Sequence, residues 1–197
     1  MLNRYGFIGI INIFCSFIYT KIFINNARLV RLPVDIRNKK NISFGDKLTT
    51  GRGCRFEAYP LNENNNIVLK IGSNVQINDY VHITAMNNVT IGNNVLLASK
   101  IYISDCCHGS YKGNSDDSNP EIPPSNRELF SRNVVIEDNV WVGEFVSILP
   151  GVTIGKGSII GANSVVLNNI PANVIAVGSP AKPIKKYNFE SQRCQKI

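Results

Sequence analysis

Apolar residues recur at every sixth position over long stretches of the chain. Each is usually followed by a small or polar residue, and a second small or apolar residue stands at the fifth place. The longest run is unbroken: Ile136-Glu137, Val142-Gly143, Ile148-Leu149, Ile154-Gly155, Ile160-Gly161 and Val166-Leu167, with Val140, Val146, Val152, Ser158 and Ser164 at the fifth positions. A second run begins at Ile71-Gly72, Ile77-Asn78 and Ile83-Thr84, slips by two residues, and resumes at Ile91-Gly92, Leu97-Ala98 and Ile103-Ser104. A degenerate third starts Phe44-Gly45, Thr50-Gly51, Phe56-Glu57. A period of six fits neither one amphipathic helix nor a half-buried strand. It does fit a coil with corners. If each hexapeptide forms a short strand and a turn, three make one triangular coil of about eighteen residues, with the apolar residue inward and Gly or Asn at the corner. Coils stacked about 4.8 Å apart then pair backbone with backbone. A β-sandwich would need six consecutive matches by coincidence.

The pattern breaks at three places. Between Ile103 and Ile136 the chain spends thirty-three residues where six would suffice, which predicts a loop extruded at about 106–133. It opens with Ser104-Asp105-Cys106-Cys107-His108-Gly109 and continues too polar and Pro-rich to form a core; insertions this long in compact domains are usually functional or disordered. Near the start, Tyr5–Thr20 is strongly apolar, yet Arg4 and Lys21 bracket only sixteen residues, fewer than the ~20 of a spanning helix. No small-residue cleavage site follows it. This stretch predicts a helix that either packs on the domain or lies in a membrane interface. Ile170-Pro171 and Pro180 end the repeat, and the basic tail from Lys182 predicts a short helix. The organisation read from this is an N-terminal basic and apolar helical segment over 1–41, a repeat domain over 42–184 and a tail over 185–197. A coil stack has two open ends that must be capped, and the N-terminal segment can cover one.

Length and composition leave this picture standing. The 197 residues amount to about one domain, and 44% hydrophobic against 18% charged residues excludes a disordered or coiled-coil chain. Charge adds something new. Residues 1–55 carry ten Lys or Arg against Asp35 and Asp46, so the net +7 of the chain is concentrated in its first quarter. No recognition-helix or aromatic-interleaved basic motif accompanies it, which argues against nucleic acid and for lipid headgroups or a phosphate-bearing substrate. Five cysteines, two of them adjacent, show no disulfide spacing and suit a reducing cytoplasm.

Candidate chemistry gathers at the loop. His108, one of two histidines, stands where a rigid scaffold releases the chain, and imidazole titrates near neutral pH, as a general base for a hydroxyl nucleophile must. His82 lies in an unbroken coil, either as an acceptor contact or as a hydrogen-bonded wall residue. Asn78, at a corner, can hydrogen-bond a ligand through its amide, orient His108 or simply stabilise the turn. Trp141, the only tryptophan, should point outward, which suggests a subunit interface or a ligand platform. Two histidines do not make the roughly three nitrogen ligands of a catalytic zinc, so no metal is expected. Cys106 or Cys107 beside His108 offers a rival covalent route. A non-catalytic scaffold anchored by its basic N-terminus is the remaining alternative.

The repeat, Asn74–His82, Ser104–Gly109, Trp141–Glu144 and the closing Gly178-Ser179-Pro180-Ala181-Lys182 together resemble the hexapeptide-repeat acyltransferases over roughly residues 42–184. The resemblance implies an all-β, left-handed parallel β-helix and a homotrimer; the handedness comes from the family alone, since the general crossover preference runs the other way. It implies acetyl-CoA as cosubstrate along the C-terminal coils, at Gly143, Glu144, Gly161, Ala162, Leu167 and Lys182, without a nucleotide-type phosphate loop. It also implies direct transfer with His108 as base, Trp141 in the active site, an oxyanion held by backbone N–H near Gly143–Glu144, and Asn78, Asp79 and His82 toward the acceptor. Asn-Asp-Tyr-Val-His at 78–82, Ser-Asp-Cys-Cys-His-Gly at 104–109 and Trp-Val-Gly-Glu at 141–144 look most like enzymes that O-acetylate bacterial surface polysaccharides, O-antigen or capsule. Cys106 departs from them, standing where similar enzymes often have a further histidine. A small acceptor such as an antibiotic or free sugar is the alternative, although the stretch typical of streptogramin acetyltransferases is absent. A cytoplasmic enzyme, peripheral at the inner membrane face, is the expected setting.

Overall fold

The computed structural model describes residues 2–61 and 66–197. The hexapeptides become short strands on three parallel sheets that enclose one core. The first face stacks Leu29–Val30, Thr49–Thr50, Gln76–Ile77, Leu96–Leu97, Trp141–Val142, Ile159–Ile160 and Val174–Gly178. The second stacks Val34–Arg37, Cys54–Ala58, His82–Ala85, Tyr102–Ser104, Ser147–Ile148 and Val165–Val166. The third stacks Ile42–Phe44, Leu69–Ile71, Val89–Ile91, Val134–Ile136 and Thr153–Ile154.

Register places the same repeat position in line from coil to coil. Ile77, Leu97, Val142, Ile160 and Ala176 form one inward column, and Phe56, Ile83, Ile103, Ile148 and Val166 another. All are buried, at about 1.5–3 kcal/mol for each large side chain withdrawn from water. Ser158 and Ser164, at fifth positions of the last coils, are buried as well. Their hydroxyls donate to the carbonyls of Pro171 and Gly161, both at 2.7 Å, so neither polar group is orphaned. Asn74, Asn94, Asn139, Asn163 and Asn173 take the left-handed corner conformation that asparagine tolerates best after glycine.

The two-residue slip after Ile83-Thr84 is a wider corner at Met86–Asn88. The buried carboxylate of Asp105 accepts the backbone N–H of Met86, Asn87 and Asn88 at 2.9, 2.7 and 2.8 Å, and its own carbonyl accepts the Arg132 N–H at 2.8 Å. Both feet of the extruded segment are therefore tied at one corner. Beyond them Cys106–His108 pairs antiparallel with Leu129–Ser131, so the predicted loop leaves the coil as a two-stranded arm.

Two expectations need correction. The N-terminal helix, α1 (Leu2–Phe23), is kinked at Gly6 and ends at Phe23, short of the helical segment predicted over 1–41; residues 29–30 and 34–37 already belong to the stack, paired with 49–50 and 54–57. Val30 and Ile36 are one further six-residue step, hidden because a 3-10 turn at Lys39–Asn41 adds two residues before Phe44. The C-terminal helix is absent. Ala181–Asn188 returns antiparallel on Val174–Gly178, and Arg193–Lys196 pairs with it in turn. Pro183 pushes Lys182 toward extended backbone, and the last coil leaves a free sheet edge whose N–H and C=O groups a strand can satisfy and a helix cannot.

Candidate active site

The edge between the first and second faces collects most of the predicted residues. Asn78–Asp79, Gly143–Glu144 and Gly161–Ala162 occupy the same corner in coils three, five and six. The coils approach closely there. A Cβ on Gly143 would stand 2.6 Å from the Ala162 nitrogen, and one on Gly161 would stand 2.7 Å from Val177 Cγ1. Lys182 pairs with Val177, so its ammonium stem continues the same edge by one rung, with Lys185 and Lys186 farther along the hairpin. Trp141 lies on the first face beside this edge, between Leu96 and Ile159, and is exposed.

The backbone here refines the oxyanion expectation. The Gly143 N–H is spent on Ile160 O at 2.8 Å. Among the described residues, however, the N–H groups of Ser99, Glu144 and Ala162 donate to nothing. They form a row of free donors on successive coils, about 4.8 Å apart. At Asp79 one carboxylate oxygen accepts the Arg52 N–H at 2.9 Å, which commits that group in part to closing the corner above it. Among the described residues the Asn78 side-chain NH2 donates to nothing, and Gln76 donates weakly to its oxygen at 3.4 Å.

The remaining predicted residues lie elsewhere. His108 is exposed on the arm, which leaves from the edge between the second and third faces; its carbonyl accepts the Tyr111 hydroxyl at 2.7 Å. Among the described residues its imidazole touches none of Asn78, Trp141 or Glu144 by hydrogen bond, ion pair or ring contact. Leu167 also lies at this second edge, at the end of its strand, exposed to solvent. A single chain thus carries His108 and the Asn78–Glu144–Ala162 edge on two sides of its second face. The adjacent thiols do not engage an imidazole: Cys106 Sγ faces Ser104 Oγ at 3.4 Å and Cys107 Sγ donates to Gly109 O at 3.2 Å. Burial pushes both thiols above the usual cysteine range, although the Ser104 hydrogen bond works the other way at Cys106. Among the described residues no three His, Cys, Asp or Glu side chains converge as a metal site.

His82 is held in a network that the sequence pattern did not disclose. Its Nε2 lies 2.7 Å from Glu57 Oε2 and 2.9 Å from Thr84 Oγ1, and Thr84 donates to the same carboxylate oxygen at 2.9 Å. Arg37 and Arg55 reach Glu57 at 2.7 and 3.1 Å. Burial alone would raise the Glu57 carboxyl, but the hydrogen bonds from His82 and Thr84 with the Arg55 charge outweigh it and hold the group below its ordinary value. The signal was present in the register: Arg37–Glu57–Thr84 and Arg55–His82 are outward positions stacked on neighbouring coils.

Comparison with known proteins agrees with this architecture. The family model "Bacterial transferase hexapeptide (six repeats)" matches residues 133–168. Over 196 residues the chain is 45% identical to the Escherichia coli K12 protein named "Putative lipopolysaccharide biosynthesis O-acetyl transferase WbbJ", covering 100% of this chain and 97% of that one. Over 120 residues it is 39% identical to the galactoside O-acetyltransferase of E. coli K12, covering 61% of this chain and 55% of that one. The crystal structure of AntD, an N-acyltransferase from Bacillus cereus in complex with dTDP and 3-hydroxybutyryl-CoA, superposes with a TM-score of 0.67 at 23% identity, over 84% of this chain and 82% of that one, which speaks to the fold. With repeat, register and a full-length likeness in agreement, the chain belongs to the hexapeptide-repeat acetyltransferases.

Proposed function

We propose that this enzyme transfers the acetyl group of acetyl-CoA to a sugar hydroxyl of a bacterial surface polysaccharide or its precursor. The full-length likeness to a relative named for lipopolysaccharide biosynthesis carries this reading. The coils wind left-handed, and three chains assemble around a threefold axis. The separation of His108 from the corner edge within one chain supports this assembly: the arm bearing His108 on one subunit lies against the Asn78–Glu144–Ala162 edge of its neighbour, so each cleft is completed by two chains.

The donor edge fits an acyl-CoA. Its glycines let a slender pantetheine chain approach the backbone, its free corner N–H groups match amide carbonyls and a thioester oxygen, and Lys182 with Lys185 faces phosphate. When bound, acetyl-CoA supplies the electrophilic thioester. His108 takes the proton of the acceptor hydroxyl as its oxygen attacks the carbonyl carbon, and the Glu144 N–H donates to the oxyanion that develops there. The C–S bond then breaks and the imidazolium returns its proton to the departing thiolate. Asn78 and Trp141 position the sugar, the indole face stacking on its apolar side. Asp79 and His82 shape the acceptor end of the cleft, His82 through its fixed contact with Glu57. Leu167 lines the far coil.

The test has two parts. Calorimetric titration with CoA should give heat and thermal stabilisation. Acetyl-CoA consumption should depend on added surface-polysaccharide repeat-unit sugars, and His108→Ala should lower turnover by ~10² or more with CoA binding retained. An assembled protein that binds no CoA would instead be a scaffold, and near-normal turnover in His108→Ala would reassign the base.

A further inference from the structure

Helix α1 is built inside out. Its polar stripe, Asn12–Ser16–Thr20 at i, i+4 and i+8, is turned toward the first coil. Ser16 Oγ accepts the Leu32 N–H at 3.0 Å and Thr20 Oγ1 accepts the Val30 N–H at 2.8 Å, leaving Ser16 and Thr20 only 1% and 0% exposed. The outward side is apolar: Phe7, Ile8, Phe14 and Ile22 are 72%, 74%, 62% and 67% exposed. A helix resting on a water-soluble domain shows the opposite arrangement. An apolar surface of this kind marks a contact with something equally apolar.

Positive charge surrounds that surface. Lys21 sits on the helix over the Phe17 ring, and Arg28 closes an apolar groove of about 430 Å³ beside Phe14 and Phe17. On the other flank a polar cleft of about 660 Å³ between α1 and the first coils is lined by Arg31 and Arg52 together with Asn12 and Ser16. Among the described residues no carboxylate pairs with Lys21, Arg28, Arg31 or Arg52. A second copy of the chain docking here would press this cationic collar against its equal, whereas an anionic bilayer complements both parts.

We infer that α1 docks the enzyme on an anionic phospholipid surface, its outward side lying in the headgroup–acyl boundary, Lys21 and Arg28 reaching headgroup phosphates, and the Arg31–Arg52 cleft taking one phosphate group. The helix runs along the membrane plane, since its polar stripe is committed to the stack. This inference does not depend on the acyl acceptor.

The experiment is co-sedimentation of the full chain with vesicles of phosphatidylcholine containing phosphatidylglycerol, and with phosphatidylcholine alone, at low and high salt. The chain should partition to the anionic vesicles at least tenfold better than to the zwitterionic ones, and salt should weaken it. Ile8→Gln, Phe14→Gln and Ile22→Gln combined should lower partition tenfold or more with thermal stability and CoA binding unchanged. Arg28→Gln and Arg31→Gln should each cost about fivefold, the equivalent of about 1 kcal/mol per basic residue near the surface. Failure of the unaltered chain to sediment with anionic vesicles overturns the inference. So does a triple variant that binds like the parent, or one whose assembled mass falls, which would make the apolar side a contact between copies.

Discussion

Replacing Asp105 tests how the arm is held. Its carboxylate accepts three backbone N–H groups at 2.7–2.9 Å from a corner that is only partly buried, while the side chain itself is fully buried. Hydrogen bonds to a charged acceptor contribute about 1.5–3 kcal/mol each, but the three share one group and water can reach the vacated amides, so the sum is not additive. For Asp105→Ala we expect a loss of about 3–5 kcal/mol. At about 2–4 °C per kcal/mol for a chain of this size, melting falls by roughly 6–20 °C. Asp105→Asn keeps one oxygen and places an amine against at least one N–H, so it should fall between parent and alanine. Thermal unfolding at fixed protein concentration measures stability. Steady-state kinetics adds a functional readout: looser feet on the arm should lower kcat and leave the KM for acetyl-CoA nearly unchanged. An alanine variant within about 1 kcal/mol of the parent would mean that the corner is held by the coils alone, and the argument for Asp105 as the anchor would fail.

Three further outcomes are expected. Ile148→Ala empties a fully buried position in the second-face column and should cost about 2–5 kcal/mol in chemical unfolding, with a loss under 1 kcal/mol indicating a core that collapses freely. Because Glu57 is held below the ordinary carboxylate value of 4.5, its stabilising contribution is complete above that pH and disappears as pH falls through the lowered value. Glu57→Gln should therefore be less stable than the parent at neutral pH and show a flatter stability profile below about pH 5; parallel profiles would contradict the assignment. Cys106→Ala with Cys107→Ala should keep turnover within roughly threefold, since neither thiol meets an imidazole and burial keeps both protonated; a loss of ~10² or more would restore the covalent route.

The core was legible because inward positions repeat without exception from Ile136 to Val166, and each buried column found above is that repeat read across coils. The first coil escaped notice for a local reason. Its one regular step, from Val30 to Ile36, is cut off from the rest by the 3-10 turn at 39–41, and a window fixed at six loses phase there. The terminal hairpin escaped because Ala181–Asn188 has no partner signal of its own; what recruits it is the free edge of Val174–Gly178. At the site, Gly143, Gly161 and Lys182, positions implied by the family resemblance, lie along one edge while Leu167 lies at another, and the Glu57–His82 network joins residues twenty-five apart and becomes visible only once the coil register is known. Which backbone N–H groups stay free is a property of corners, and composition carries no trace of it.

The stack also works as a ruler. From the strand beside α1 to the strand of Trp141 there are four rungs on the first face, a rise of about 19 Å at 4.8 Å each. An enzyme lying on α1 would hold its catalytic cleft at that height, so the hydroxyl it modifies must project a comparable distance from whatever surface carries the acceptor. Adding or deleting one eighteen-residue coil between the two would change the reach in a single 4.8 Å increment without altering either end.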